Sequence, residues 1–176
     1  MLVALSGCGS KKKSDNIITK PVVKAEPKAP ERMQVYDDVR DVGWIGRKYH
    51  VAIHRQPCDS VAVVKDETGQ GYVDNVITVS VSREDGSVFF SRTFAKADFR
   101  EMLDADYVKT GILEGLVFDK AEGDYLFFAA SVSHPHTDEY IPMVVRLSRM
   151  GDVNITRDTQ MDTSSASDTD SQDDDF

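Results

Sequence analysis

The sequence predicts a mainly β domain that borders on the α+β class. We expect an antiparallel meander of about seven or eight strands, forming a barrel-like or sandwich domain with one short helix. Several short segments alternate apolar and polar side chains, which is typical of strands with one face in water. Glycine-containing turns separate neighbouring segments and favour antiparallel pairing. Only one segment places its apolar residues at helical spacing.

The first predicted strands lie between residues 49 and 94. Residues 49–54 alternate in character, and residues 61–64 form a short apolar run. The clearest strand is residues 76–82, where Ile77, Val79 and Val81 point to one face. Asp85-Gly86 separates this strand from residues 88–94, and the pair predicts a hairpin with a type I′ turn.

The single predicted helix spans residues 96–103. Phe99, Met102 and Leu103 share one face at helical spacing, and Asp98 lies near the start, where a negative charge is favourable. Because the helix interrupts the run of strands, we expect it to cover an opening or an edge of the sheet.

The remaining predicted strands are residues 112–118, 126–132, 141–147 and 153–155. The second of these is apolar on both faces, which predicts a central strand. Pro142 cannot donate to a ladder, so it suits the start of a strand or an edge. Gly151-Asp152 predicts the last turn.

Length and charge divide the chain into four parts. The 176 residues suit one domain with tails. Residues 1–8 are interpreted as a signal-peptide remnant, and residues 9–32 as a disordered linker with a net charge of +4. Residues 33–157 form the predicted β domain, with a net charge of −6. Residues 158–176 are interpreted as a disordered acidic tail with a net charge of −7. The net charge of −9 argues against nucleic acid as a partner. Two cysteines exclude a disulfide-rich scaffold.

The first residues predict a lipid anchor. Leu5-Ser6-Gly7-Cys8 resembles the lipobox of bacterial lipoproteins, in which the cysteine is lipidated and becomes the new N-terminus. Only residues 2–5 supply apolar bulk and no basic residue precedes them, so we expect the natural start to lie upstream. The alternative is a frayed apolar terminus with a chance cysteine. A lipid on Cys8 would place the protein in the cell envelope, on the periplasmic or the cell-surface side, with the membrane as a partner.

The sequence contains no catalytic signature. A nucleophile elbow, a phosphate-binding glycine loop, a dinucleotide fingerprint and a zinc-protease motif are all missing, so no catalytic residue and no cofactor other than the lipid are predicted. His134, His136 and Asp138 form the densest group of ligand-type side chains and predict a possible zinc-like metal site. A polar loop joining two strands needs the same kinds of residues and is the favoured interpretation, since nothing in the sequence fixes a fourth ligand.

The other candidate groups have simpler interpretations. His50 and His54 share a strand face about 13 Å apart, too far to hold one ion, so they face solvent, or one of them meets a partner across the ladder. Cys58 is interpreted as inert rather than as a nucleophile paired with His54. The aromatic residues either line a pocket or fill the core, and the core is favoured. They are Trp44, Tyr49, Phe89, Phe90, Phe127, Phe128 and Tyr140.

Several stretches together resemble the domain-of-unknown-function family 4738. They are Tyr72-Val73-Asp74-Asn75, Asp85-Gly86-Ser87-Val88-Phe89-Phe90 with Thr93-Phe94, Gly111-Ile112-Leu113-Glu114-Gly115-Leu116-Val117-Phe118-Asp119, and Phe128-Ala129-Ala130-Ser131-Val132-Ser133 with Asp138-Glu139-Tyr140-Ile141-Pro142. The resemblance covers residues 33–163. It implies an uncharacterised lipoprotein of Bacteroides-type bacteria, and it implies no activity.

Three functions follow from these features. The first is a non-catalytic binding or interaction module, tethered to the membrane through Cys8. The second is a metal-binding protein or metal-dependent enzyme that uses His134, His136 and Asp138. The third is a glycan-binding accessory protein that uses exposed aromatic side chains. The sequence favours them in this order.

Overall fold

Two four-stranded antiparallel sheets pack face to face in the computed structural model, which describes residues 28–159. The first sheet has the order β1-β2-β5-β6, and its strands are β1 (Tyr36–Trp44), β2 (Arg47–Pro57), β5 (Asn75–Arg83) and β6 (Val88–Ala95). The second sheet has the order β10-β9-β8-β7, and its strands are β7 (Ile112–Glu122), β8 (Tyr125–Ser133), β9 (Tyr140–Ser148) and β10 (Val153–Arg157). A small hairpin pairs β3 (Val64–Lys65) with β4 (Gly71–Tyr72).

The predicted fold class is confirmed, and of its two architectures the sandwich is the one formed. No ladder joins the two large sheets within residues 28–159, so the strands do not close into a barrel. Seven of the eight strands of the large sheets were predicted, all except β1, and the predicted run 61–64 overlaps only the short strand β3. The pair β3–β4 brings the total to ten strands, which exceeds the seven or eight expected. The sequence pattern missed β1 because this edge strand is largely exposed and charged, so its alternation is weak.

The core lies between the inner faces of the two sheets. Ile77, Val79 and Val81 of β5 are at most 1% exposed, as their alternation predicted. β8 lies between β7 and β9, which confirms it as a central strand. The largest fully buried side chains include Phe94, Phe99, Phe128, Leu113, Leu126 and Leu147. Burying each such side chain stabilises the fold by about 1.5–3 kcal/mol, so this interface contributes most of the stabilisation.

The turn type expected at Asp85-Gly86 is wrong, although the hairpin is present. Gly86 has φ +83°, whereas Asp85 is not in the positive region that a type I′ turn requires at both central residues. The Gly86 amide donates to the Arg83 carbonyl at 2.9 Å, and the Arg83 amide donates to the Ser87 carbonyl at 2.8 Å. This pattern indicates a type I turn followed by a glycine bulge.

A two-residue turn with both central residues at positive φ joins β1 to β2. Its residues are Ile45 (φ +44°) and Gly46 (φ +72°). Trp44 and Arg47 pair directly on either side of the turn. This geometry is that of a type I′ turn, which the sequence pattern did not indicate because isoleucine is rare at such a position.

The single predicted helix is present as a 3₁₀ helix, Lys96–Met102, and a second helix, α1 (Ala105–Thr110), follows it. The prediction of one helix is therefore wrong. In the 3₁₀ helix, Phe99 is fully buried and its ring lies 6.1 Å from that of Phe94. The 3₁₀ helix contacts both β6 and β10, the edge strands on one side of the sandwich, as expected for a cover. Helix α1 buries none of its residues, so it has no apolar periodicity to detect.

Part of the sequence-based interpretation concerns residues outside the described range. Cys8, most of the predicted linker and most of the predicted acidic tail lie outside residues 28–159. The last linker residues are described: the Glu31 amide donates to the Gly71 carbonyl at 2.8 Å, and the Val73 amide donates to the Glu31 carbonyl at 2.8 Å. No helix among the described residues is long and apolar enough to span a bilayer.

Candidate binding cleft

The loop between β8 and β9 projects from one end of the sandwich and carries the histidines that the sequence singled out. It is closed by backbone hydrogen bonds from the His134 amide to the Glu139 carbonyl at 3.1 Å and from the Thr137 amide to the His134 carbonyl at 3.2 Å. Opposite it lie the β3–β4 hairpin and the segment around Glu31, because Glu31 bridges in parallel to Tyr72. Three distant parts of the chain therefore meet at this end.

His136 connects the loop to the segment by which the chain enters the domain. Its Nε2 lies 2.7 Å from Oε2 of Glu31, and its ring stands edge-on to that of Tyr72 with centroids 5.6 Å apart. His136 has φ +59°, which is uncommon for a residue with a Cβ. Such backbone positions persist where the surroundings hold them, and they cluster at functional sites.

The side chain of His134 is more buried than that of His136: it is 17% exposed, against 68% for His136. Its ring stacks on Tyr107 of α1 with centroids 4.0 Å apart and an interplanar angle of 18°. Its Nδ1 lies 3.2 Å from Oε2 of Glu139, and its Nε2 lies 3.1 Å from Oδ2 of Asp106. The His134 ring therefore faces a carboxylate at each nitrogen, and it forms one wall of the loop.

A cleft of about 290 Å³ lies between these segments. Its apolar lining comes from Met33, Tyr72, Val73 and Ile112. Its polar lining comes from Glu31, Arg32, Glu114, Ser133, His134, His136 and Thr137. Ligand pockets in proteins combine an apolar lining with a few convergent polar groups, and this cleft has that composition at the lower end of their size range.

The three residues of the predicted metal site are not brought together. His134 and His136 each face their own carboxylates, and Asp138 lines the neighbouring depressions rather than the cleft. Among residues 28–159, no group of three or more His, Cys, Asp and Glu side chains is arranged to hold a metal ion. The metal site stays a prediction that this geometry does not favour.

A buried polar cluster next to the cleft was not anticipated from the sequence. Asp74 is 4% exposed, and its Oδ1 accepts hydrogen bonds from the amides of Asn75 and Leu113, each at 2.8 Å. Nζ of Lys96 lies 3.4 Å from Oδ2 of Asp74 and donates to the Gly111 carbonyl at 2.5 Å. Asp74 thereby ties the start of β5 to the start of β7, which carries the Ile112 wall of the cleft. The only sequence signal was its place in the stretch 72–75.

His50 and His54 lie on the outer face of the first sheet, and both of them, rather than one, meet a partner across the ladder. Nδ1 of His50 lies 2.5 Å from Oδ1 of Asp41, and Nδ1 of His54 lies 2.7 Å from Oδ1 of Asp37. The hydrogen bond to Asp37, with a smaller contribution from Gln56, raises the pKa of His54. Hydrogen bonds from His50 and Lys48 lower the pKa of Asp41.

Cys58 pairs with Ser60 rather than with a histidine. Its Sγ lies 3.0 Å from Oγ of Ser60, and this side-chain hydrogen bond is the main cause of a lowered pKa of the thiol. Because His54 is engaged with Asp37, the structure shows no Cys58–His54 pair.

Five of the seven aromatic residues belong to the core or pack against it, as the favoured interpretation predicted. Trp44, Tyr49 and Phe128 are at most 4% exposed, and Phe89 and Phe90 are partly buried against the core. Phe127 lies on the outer face of the second sheet, and Tyr140 is 49% exposed. Trp44 and Tyr49 line a broad groove of about 950 Å³ at the opposite end of the sandwich, but their rings are covered. Glycan stacking needs an open ring face, so this groove does not favour the glycan-binding hypothesis.

A model of a protein family matches this chain. The family model described as Domain of unknown function (DUF4738) matches residues 16–155, which is more than half of the chain. None of the curated proteins matches this sequence.

Proposed function

We propose, from the premise that the chain belongs to the DUF4738 family of domains of unknown function, that it is a lipid-anchored, non-catalytic binding module of the cell envelope. The family resemblance stated from the sequence motifs is thereby confirmed. The anchor is Cys8, and the ligand-binding site is the cleft beside His136. The protein then acts by holding a partner at the membrane.

The cleft is the observation that carries the binding role. Its floor of Met33, Tyr72 and Ile112 offers a compact apolar surface, and its rim places Arg32 and His136 beside carboxylates. A cleft of this size accepts a side chain of a partner protein or a small amphipathic molecule, with the apolar part inside and a polar head at the rim.

The position of the cleft agrees with a tethered module. Glu31 and Arg32 line the cleft and directly follow the segment that leads back to Cys8. The 23 residues from Cys8 to Glu31 reach at most about 75 Å when extended. The segment that carries the proposed anchor therefore joins the described domain at the cleft, and the anchor is no more than this distance from the binding site.

The anchoring part is tested by metabolic labelling with a palmitate analogue. We expect the native protein and Cys58→Ser to be labelled and Cys8→Ser to lose the label. Cys58→Ser is the matched control because Cys8 and Cys58 are the only two cysteines of the chain. Label retained in Cys8→Ser would refute the anchor and leave the cleft proposal standing.

The binding part is tested by photo-crosslinking in cells. A photoreactive amino acid replaces Thr137 at the cleft or, as the matched control, Thr93, an exposed threonine on the outer face of the first sheet. We expect a discrete crosslinked product from position 137, abolished by filling the cleft with Met33→Trp, and none from position 93. The same products from both positions, or a product insensitive to Met33→Trp, would contradict a role for the cleft.

A further inference from the structure

The outer face of the second sheet is apolar at its centre. Val117, Ala129 and Val144 lie side by side on β7, β8 and β9, and Val117 is 41% exposed. The next row along the strands places Phe127 between Lys120 and Arg146. Antiparallel sheets normally present polar residues on a face that is open to water.

The outer face of the first sheet interleaves apolar residues with charged and hydroxylated ones. Its rows across the strands are Asp37–His54–Thr78–Thr93, Val39–Ala52–Ser80–Ser91 and Asp41–His50–Ser82–Val88. Val39 is 70% exposed and Val88 is 62% exposed, but every row contains hydroxyl groups, and each histidine has a carboxylate partner. The hydroxyl groups of Thr78 and Thr93 also pair, with their oxygens 2.8 Å apart. The two faces thus differ in how their apolar residues are arranged. On the second face Val117, Ala129 and Val144 adjoin in one row across three strands, next to the row that carries Lys120 and Arg146.

Two cations lie on aromatic rings of this second face. Nζ of Lys120 lies 5.3 Å from the ring centroid of Phe127, and the guanidinium of Arg146 lies 4.6 Å from that of Tyr125. Lys120 also lies 2.8 Å from Glu122, but both side chains are more than half exposed, so the pair is weak and exchangeable. Arg146 is in no ion pair with any residue of the range 28–159. Lys120 and Arg146 can therefore bind the carboxylates of an acidic segment that lies across this face.

The chain itself supplies such a segment immediately beyond this sheet. β10 is the edge strand next to β9, and residues 158–176 follow it with seven aspartates and no Lys or Arg. Nineteen extended residues reach about 60 Å, whereas the four strands are only about 14 Å across. A segment joined so closely to its target has an effective concentration in the millimolar range.

We propose that the acidic segment 158–176 docks on the outer face of the second sheet, with its carboxylates at Lys120 and Arg146. The apolar row beside these cations is then covered by the chain rather than exposed to water. Because the charges lie at a solvent-accessible surface, the docking weakens as salt rises. Any other partner of this face has to displace the segment first.

Zero-length carbodiimide crosslinking of the full-length protein at low salt, mapped by mass spectrometry, tests the proposal. We expect amide bonds between Lys120 and the aspartates of residues 162–175, with a yield that falls at least severalfold in 0.5 M salt. Lys48 is the matched control because its side chain is 52% exposed, against 54% for Lys120, and lies on the first sheet. Equal yields of crosslinks from Lys48 and from Lys120 to the aspartates of residues 162–175 would overturn the proposal.

Two further experiments test whether the segment 158–176 of the same chain, rather than a second copy of the protein, binds this face. Arg146→Glu is expected to lower the Lys120 yield severalfold, whereas Lys48→Glu leaves it unchanged. An equimolar mixture of ¹⁴N and ¹⁵N protein is expected to give crosslinks within one isotope only. Mixed-isotope crosslinks at Lys120 would instead assign this face to a second copy of the chain, and an unchanged yield in Arg146→Glu would also count against the proposal.

Discussion

Replacing Asp74 tests whether the buried polar cluster fixes the junction between the two sheets. Oδ1 of Asp74 accepts both buried amides, those of Asn75 and Leu113, while Oδ2 faces Lys96. Asp74→Ala removes every one of these contacts. Asp74→Asn keeps Oδ1 as an acceptor but replaces the negatively charged Oδ2 opposite Lys96 with an NH2 group, which is a donor.

The expected loss follows from the two amides. Asn75 is 1% exposed and Leu113 is 0% exposed, so neither amide can turn to water after Asp74→Ala. An unsatisfied buried donor costs about 1–3 kcal/mol, which predicts a total loss of roughly 3–5 kcal/mol. Asp74→Asn is expected to cost about 1–2 kcal/mol, because Lys96 still donates to the Gly111 carbonyl. A whole domain is stable by only about 5–15 kcal/mol, so the difference is readily measured.

The assay is equilibrium urea unfolding followed by tryptophan fluorescence, with the midpoint and slope of each variant compared. We expect a large fall of the midpoint for Asp74→Ala, a smaller fall for Asp74→Asn, and slopes equal to that of the native protein. If Asp74→Ala costs less than about 1 kcal/mol, the amides do not depend on Asp74. If Asp74→Asn costs as much as Asp74→Ala, the charge rather than Oδ1 carries the stabilisation.

Three further predictions concern local contacts. Gly111→Ala places a Cβ 2.8 Å from a backbone oxygen of α1, so we expect a loss of about 1–3 kcal/mol in the same assay, and a neutral result would contradict this. Asp37→Asn is expected to lower the pKa of His54 in an NMR titration. A raised pKa in the folded state stabilises the fold at pH values below the unfolded pKa of about 6.5, and this stabilisation is lost as the pH rises through the folded pKa. The variant should therefore lose stability only on the acidic side. Ser60→Ala is expected to raise the pKa of Cys58 and slow its alkylation by iodoacetamide at pH 8, whereas an unchanged rate would exclude the Ser60 hydroxyl as the cause.

The strands with clear alternation were predictable because their signal is local. In β5, each inward residue is apolar and each outward residue is hydroxylated, so the face that meets the core follows from the residues alone. The edge strand β1 and the exposed helix α1 bury too little to leave a periodic pattern. The turn at Gly86 was located correctly but its type was not, because a glycine fits both turn geometries.

The candidate cleft was only partly predictable. The sequence indicated a candidate site at residues 134–138 because polar side chains that can bind ligands are concentrated there. The partner of His136 is Glu31, 105 positions earlier, and one partner of His134 is Asp106 in a different element. Pairings between such distant positions leave no signature in a single sequence, so the predicted metal group and the observed carboxylate partners differ.

By itself, the sequence determined the β class, the strands of the two sheets other than β1, the position of the 3₁₀ helix and the uneven distribution of charge, because side-chain period and composition act over neighbouring residues. The tertiary structure alone decided the order of the strands, the burial of Asp74 and the meeting of three separate segments at the cleft. These features depend on which nonlocal surfaces exclude water together, and that choice is made only when both sheets have packed.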